Sequence, residues 1–103
     1  MIIYNVTINV EDGIHAEWLQ WMQAIHIPDV LATGHFRNAR ICRVLVEEEL
    51  GGTTYSVQYE APDRASLDSY YREHAGRLRE LVADRYGDRL VAFRTELEII
   101  SEH

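Results

Sequence analysis

The sequence predicts an α+β fold, a four-stranded antiparallel sheet with two helices on one face, and three observations carry that expectation. Segments 2–10 and 53–60 alternate apolar and polar residues with the period of a half-buried strand. Two other segments hold apolar stripes at helical spacing, the more regular one running from Leu67 to Val82. Gly51-Gly52 stands between two strand-like runs, where paired glycines turn a hairpin.

In the first strand, Ile2, Tyr4, Val6, Ile8 and Val10 share one face, and Asn5, Thr7 and Asn9 share the other. Glu11, Asp12 and Gly13 then turn the chain, with Asp12 as N-cap of a helix. That helix carries Ile14, Trp18, Met22 and Ile25, with Trp21 beside them. It ends about His26 or Ile27, because Pro28 disfavours the helical region for the residue before it. Proline is welcome in a first helical turn, so PDVLATG reads as a kink or a separate short helix closed by Gly34.

Phe36 to Glu49 reads as the second strand, with Ile41 and Leu45 on one face and Cys42, Val44 and Val46 on the other. Thr53 to Glu60 is the third, Tyr55, Val57 and Tyr59 opposing Thr54, Ser56 and Gln58. Pro62 and Asp63 open the second helix, whose stripe is Leu67, Tyr70, Tyr71, His74, Leu78, Leu81 and Val82. Tyr86-Gly87-Asp88 breaks it. Leu90 to Ile100 is the last strand, with Val91, Phe93, Leu97 and Ile99 on one side and Ala92, Arg94, Glu96 and Glu98 on the other.

The order strand, helix, strand, strand, helix, strand folds with right-handed crossovers into the split βαβ, ferredoxin-like arrangement, one domain over residues 1–103. With the apolar strand faces under the helices, the bare face carries Asn5, Asn9, Thr54, Ser56, Gln58, Arg94 and Glu96. The second strand is apolar on both faces, so part of the bare face is apolar and calls for a cover. A second copy of the sheet is the simplest cover, and a homodimer is expected.

Composition matches an ordinary soluble globular domain, 47% hydrophobic and 26% charged. The net charge is −7 and the ten basic residues, all arginine, lie interspersed with acids, so no nucleic-acid partner is expected. MIIYNVTINV reads as a strand, without a basic leader or a long apolar stretch. No signal peptide, membrane span or membrane partner is expected, and the expected location is the cytoplasm. The lone Cys42 cannot form an internal disulfide and reads as a buried small side chain.

The opening MIIYNVTINV, the segment HIPDVLATGHF, the hairpin VEEELGGTTYSVQY and the closing RYGDRLVAFRTELE resemble a small bacterial family of domains of unknown function. That family in turn resembles the dimeric α/β-barrel superfamily. Its members pair two ferredoxin-like sheets into a barrel and include antibiotic-biosynthesis monooxygenases, muconolactone isomerases and haem-degrading enzymes. The resemblance implies a dimer with ligand sites between helices and sheet, and supplies no activity, since the nearer family is uncharacterised. Haem-degrading members use an asparagine on the first strand with a tryptophan and a histidine further along. Asn5 and His74 fall loosely at two of those places, but no tryptophan lies between Cys42 and His74. No cofactor is expected.

A site between helices and sheet directs attention to polar side chains on apolar helix faces. His74, on the second stripe, and His26, one turn after Met22, are the candidate acid/base residues, because imidazole titrates near neutral pH. The competing readings are a hydrogen-bonded core histidine for His74 and a helix-end cap for His26. Tyr4, Trp21 and Tyr55 are the candidate lining of the cleft. Arg94 reads as part of a dimer-interface network, with anion binding in a barrel interior as the sharper alternative. His15, His35 and His103 read as surface residues.

No HxH, HxxxH or HExxH spacing occurs, so no metal site is expected; His26, His74 and Asp29 are the set that assembly through space would use. Ser66 and Ser69 read as capping residues rather than nucleophiles, and Gly51-Gly52 as a turn rather than a phosphate loop. Two function classes remain: a dimeric small-molecule-binding domain or cofactor-independent enzyme of monooxygenase or isomerase type, and a non-catalytic dimeric scaffold or interaction module.

Overall fold

The computed structural model describes residues 1–49 and 51–103. Strands β1 (Ile2–Val10), β2 (Asn38–Arg43), β3 (Thr53–Ala61) and β4 (Leu90–Glu98) form one antiparallel sheet in the order β2-β3-β1-β4. This is the predicted ferredoxin-like fold. β1 and β3 alternate as their sequences require: Tyr4, Val6 and Ile8 lie opposite Tyr59, Val57 and Tyr55, all buried beneath the helices. Leu50, inside the predicted hairpin, lies outside the described residues.

The first long helix is one continuous rod. A 3₁₀ turn (Asp12–Ile14) leads into α1 (His15–Trp21), a π turn (Met22–His26) and α2 (Ile27–Leu31). Asp12 makes no cap, since it lies inside the 3₁₀ turn. The inward residues Trp18, Met22, His26 and Val30 step by four. In an α-helix each such step drifts about 40° off one face. The π turn, closed by the Ile27 N–H onto the Met22 carbonyl, is wider and takes the drift back. Ile25 is thereby left 49% exposed rather than facing the core, and His26 takes its place.

The same wide turn explains why Pro28 does not split the helix. A proline ring in a straight α-helix meets the carbonyl four residues earlier, here that of Ala24, which sits within the π turn. The chain then leaves at Gly34, whose φ is 83° and whose N–H reaches the Leu31 carbonyl at 3.1 Å.

The second long helix repeats the device, as α3 (Arg64–Tyr70), a π turn (Tyr71–Ala75) and α4 (Gly76–Tyr86). Asp63 caps it by accepting from the Ser66 N–H at 2.8 Å. The π turn moves the buried stripe on by one residue: Leu67 and Tyr70 are followed by Ala75 and Leu78. His74 is therefore turned to the helix flank and Leu81 is 45% exposed, where an unbroken 3.6-residue period would have brought both inward.

Two strands depart from expectation. β2 ends at Arg43, so Leu45 and Val46 lie exposed beyond it, and Cys42 is exposed on the sheet's bare face rather than buried. The chain returns through Gly51 and Gly52 at φ 84° and 80°. A Cβ on Gly52 would stand 2.9 Å from the Val10 carbonyl oxygen, so the turn also needs glycine for space.

In β4 the two faces are exchanged. Arg94 pairs with Val6 and Glu96 with Tyr4, so these charged residues lie on the helix side, while Val91, Phe93 and Leu97 lie on the bare face at 68%, 60% and 45% exposure. β4 is an edge strand, and its facing follows from its register with β1, whose own face is settled by Tyr4, Val6 and Ile8.

Candidate functional site

A partly open cleft of about 180 Å³ lies between the helices and the sheet. Its floor is the apolar face of β1 and β3, and Trp18 and Met22 of the first helix and Tyr70 and Leu78 of the second wall it. Polar groups are few and converge. Tyr4, the second helix-facing residue of β1, projects its buried ring under the second helix. Its hydroxyl accepts from Arg79 Nη2 and from Arg94 Nε, each at 3.1 Å.

Among the described residues, neither Arg79 nor Arg94 forms an ion pair with a carboxylate. Glu96, two residues from Arg94 on the same side, is engaged elsewhere, with Arg64 at 2.7 Å and Tyr71 Oη at 2.6 Å. These hydrogen bonds hold its carboxyl below the usual range. The cleft mouth thus carries two uncompensated guanidiniums. Deeper, the Trp18 indole N–H is buried without an acceptor among the described residues.

His26 is the basic group of this cleft. The π turn directs its half-buried ring inward, and Trp21 stacks on it at 5.1 Å and 22°. Burial lowers its pKa, the nearby Arg94 charge lowers it further, and Asp29 opposes both. At neutral pH the imidazole is neutral and able to accept a proton. It makes no side-chain hydrogen bond to the described residues.

The six predicted site residues therefore separate. Tyr4, His26 and Arg94 line the cleft, Arg94 from the face opposite to the one expected. Trp21 backs His26 from outside, with Arg85 over the Trp21 ring at 5.4 Å. Tyr55 points to the helix side but at the β2 end, where its hydroxyl meets Arg43 at 3.3 Å and the His15 ring stacks on it at 5.5 Å. His15 is thus a packed residue and not a solvated one. His74 lies on the far flank of the second helix beside His35 and Glu73. Asn5 is on the bare face, hydrogen-bonded to Thr95 and Ser56, with the whole sheet between it and the helix layer that carries His74.

Arg79 was not legible as a site residue, since a charged side chain next to a helical stripe is ordinarily a solvated one. His35 reads as a surface residue because it follows Gly34 in a loop, and its clustering with His74 depends on the π turn.

The family model described as Domain of unknown function (DUF4286) matches residues 1–100. The chain belongs to this family. No curated protein matches the sequence significantly. Several solved structures share the fold. A protein of the ethyl tert-butyl ether (EthD) family from Bacillus halodurans is 14% identical at a TM-score of 0.69, over 97% of this chain and 100% of its own. A dimeric ferredoxin-like protein from an uncultured marine organism is 12% identical at 0.66, over 99% and 97%. A candidate antibiotic biosynthesis monooxygenase from Deinococcus radiodurans is 12% identical at 0.59, over 100% and 96%. At these identities the likeness is one of fold. Among the described residues, no helix is long and apolar enough to cross a membrane.

Proposed function

We propose that the chain is a homodimeric domain that binds a compact organic anion in the cleft and acts on it without a cofactor, His26 taking the proton. The observation that carries this reading is the convergence of Arg79 and Arg94 on the Tyr4 hydroxyl, with no carboxylate to balance them among the described residues. A guanidinium fork matches the two oxygens of a carboxylate or the oxyanion of an enolate. A cleft of about 180 Å³ sits below the ~300–1,000 Å³ of drug-sized sites and near the ~150 Å³ that accommodates a benzene ring. A one-ring or short-chain acid fits.

The chemistry supported is proton transfer. Neutral His26 accepts a proton from the α carbon of a β,γ-unsaturated carbonyl substrate, the electron pair spreads into a dienolate whose oxygen faces the guanidiniums, and His26 returns the proton to the γ carbon as the double bond shifts into conjugation. That sequence is an isomerisation, and it consumes no oxidant. The free Cys42 thiol supports a reducing, cytoplasmic setting, and the net charge of −7 argues against nucleic acid as a partner.

The dimer reading is supported by the bare sheet face, where Val91, Phe93 and Leu97 lie exposed along β4 beside the strand that carries the hydrogen-bonded Asn5, and by the dimeric neighbour of the same fold. Phe93→Asp is expected to give a monomer in analytical ultracentrifugation, through a loss of ~2 kcal/mol or more per subunit. A monomeric wild type, or a dimeric variant, would remove the dimer from this account.

Ligand chemistry is tested by thermal shift and NMR titration with one-ring and short-chain carboxylates against their matched amides. Carboxylates are expected to bind at least tenfold tighter, and Arg94→Ala to erase the difference while leaving the melting temperature near wild type. Equal binding of acids and amides would overturn the anion reading. That outcome would favour the second reading, a non-catalytic dimeric scaffold. Trp21, Tyr55 and His74, packed against other partners outside the cleft, support it.

A further inference from the structure

We propose that His35, Glu73 and His74 form a binding site for a divalent transition-metal ion of the zinc type. The three side chains come from two segments that the fold brings together. His35 follows Gly34, whose φ of 83° turns the chain out of α2, and precedes Phe36, which is anchored in the core. Glu73 and His74 are consecutive residues of the second π turn. Neighbours in an α-helix point about 100° apart. The wider π turn reduces that divergence and turns His74 off the core stripe toward His35.

The distances suit a metal. His35 Nε2 stands 3.7 Å and His74 Nε2 3.9 Å from the same oxygen, Glu73 Oε2, and the three ligand atoms lie within 4.8 Å of one another. A tetrahedral zinc site, with bonds of ~2.0–2.2 Å, separates its ligands by ~3.3–3.5 Å. Rotation of the half-exposed Glu73 and of the two imidazoles closes the remaining gap. Two imidazoles and one carboxylate are the donor set of zinc sites that keep a fourth position for water.

The surroundings are compatible with a cation. The His35 and His74 rings lie 5.5 Å apart, and Tyr70 backs the latter at 6.4 Å, so both are held on one side. Arg72 approaches the other carboxylate oxygen, Oε1, at 3.6 Å and leaves Oε2 to the ion. Arg77 reaches His74 Nδ1 at 3.4 Å. With a metal on Nε2 that nitrogen carries the proton, so the exposed Arg77 swings to solvent on binding.

The test is calorimetric titration of chelator-treated full-length protein with zinc chloride, together with visible absorption of the cobalt(II) form. One equivalent is expected to bind with a dissociation constant in the micromolar range or tighter. Zinc should raise the melting temperature, because it ties the chain after α2 to the second helix. Glu73→Gln, isosteric and on an exposed side chain, is expected to weaken binding at least tenfold, and the double variant His35→Ala/His74→Ala to abolish it. Melting in chelator, equal to wild type, confirms that each variant is folded. Wild type that binds no tighter than millimolar would overturn the proposal. So would zinc affinity unchanged in the folded double variant or in Glu73→Gln.

Discussion

The two long helices each contain one five-residue π turn, and each turn carries a histidine, yet the turns do opposite things. Met22–His26 brings His26 from the flank into the cleft, while Tyr71–Ala75 takes His74 out of the core stripe and sets it beside His35. The first turn has a local cause. Pro28 follows two residues later, and the wide turn lies where its ring would meet the preceding carbonyl. The second has no proline after it, since Pro28 and Pro62 both precede it. A wide turn without a covalent reason is a departure from the α-helix of the kind that concentrates at functional sites. The difference separates a turn that proline requires from one that a site uses.

Removing one residue from each turn breaks the comparison most directly. A π turn is an α-helix with one residue added, so a deletion inside it restores the α period and keeps both flanks in phase. Deleting exposed Ala24 sets Pro28 against a regular α-helical turn, and urea unfolding is expected to show a loss of about 3 kcal/mol or more. Deleting exposed Arg72 creates no such clash and is expected to cost about 1 kcal/mol or less while weakening zinc binding at least tenfold. Equal losses would show that packing against the sheet, and not Pro28, holds the first turn open.

What was legible beforehand follows the same division. β1 and β3 were readable residue by residue, because a central strand with one buried face must alternate. β4 alternates as cleanly, and its residues do share the faces expected. Which face meets the helices depends on register with β1, a long-range fact that amphipathicity does not carry. Arg94 therefore reached the cleft from the side assigned to solvent or a partner.

The helix stripes failed for another reason, since a 3.6-residue period assumes an unbroken α-helix. The fourfold steps from Ile14 through Trp18, Met22 and His26 to Val30 were the available signal of a wider turn. Nothing comparable marked the second turn. Of the polar cleft residues, Tyr4 and His26 were accessible because each stands on an apolar face, whereas Arg79 lies beside one and gave no such sign.

The smallest expected effect concerns His26 itself. Burial and the Arg94 charge lower its pKa below the ordinary imidazole value of 6.5, so between these two values the unfolded chain holds a proton that the folded chain does not. Stability consequently rises with pH across that window and is lost as the pH falls through 6.5, at no more than about 1.4 kcal/mol per pH unit for one proton. The window is separate from the acid loss of Glu17, Asp63 and Glu96. Their lowered carboxyl pKa values start from 4.5, 3.8 and 4.5, so their share disappears at more acid pH. Urea unfolding of wild type and His26→Gln between pH 5.5 and 7.5, within about a unit of the ordinary imidazole value, measures the difference directly. The variant is expected to lose this part of the slope. An unchanged slope would mean that the inward turn at Met22–His26 leaves the imidazole as well solvated as in the unfolded chain, and the contrast between the two histidines would then be one of position without consequence for protonation.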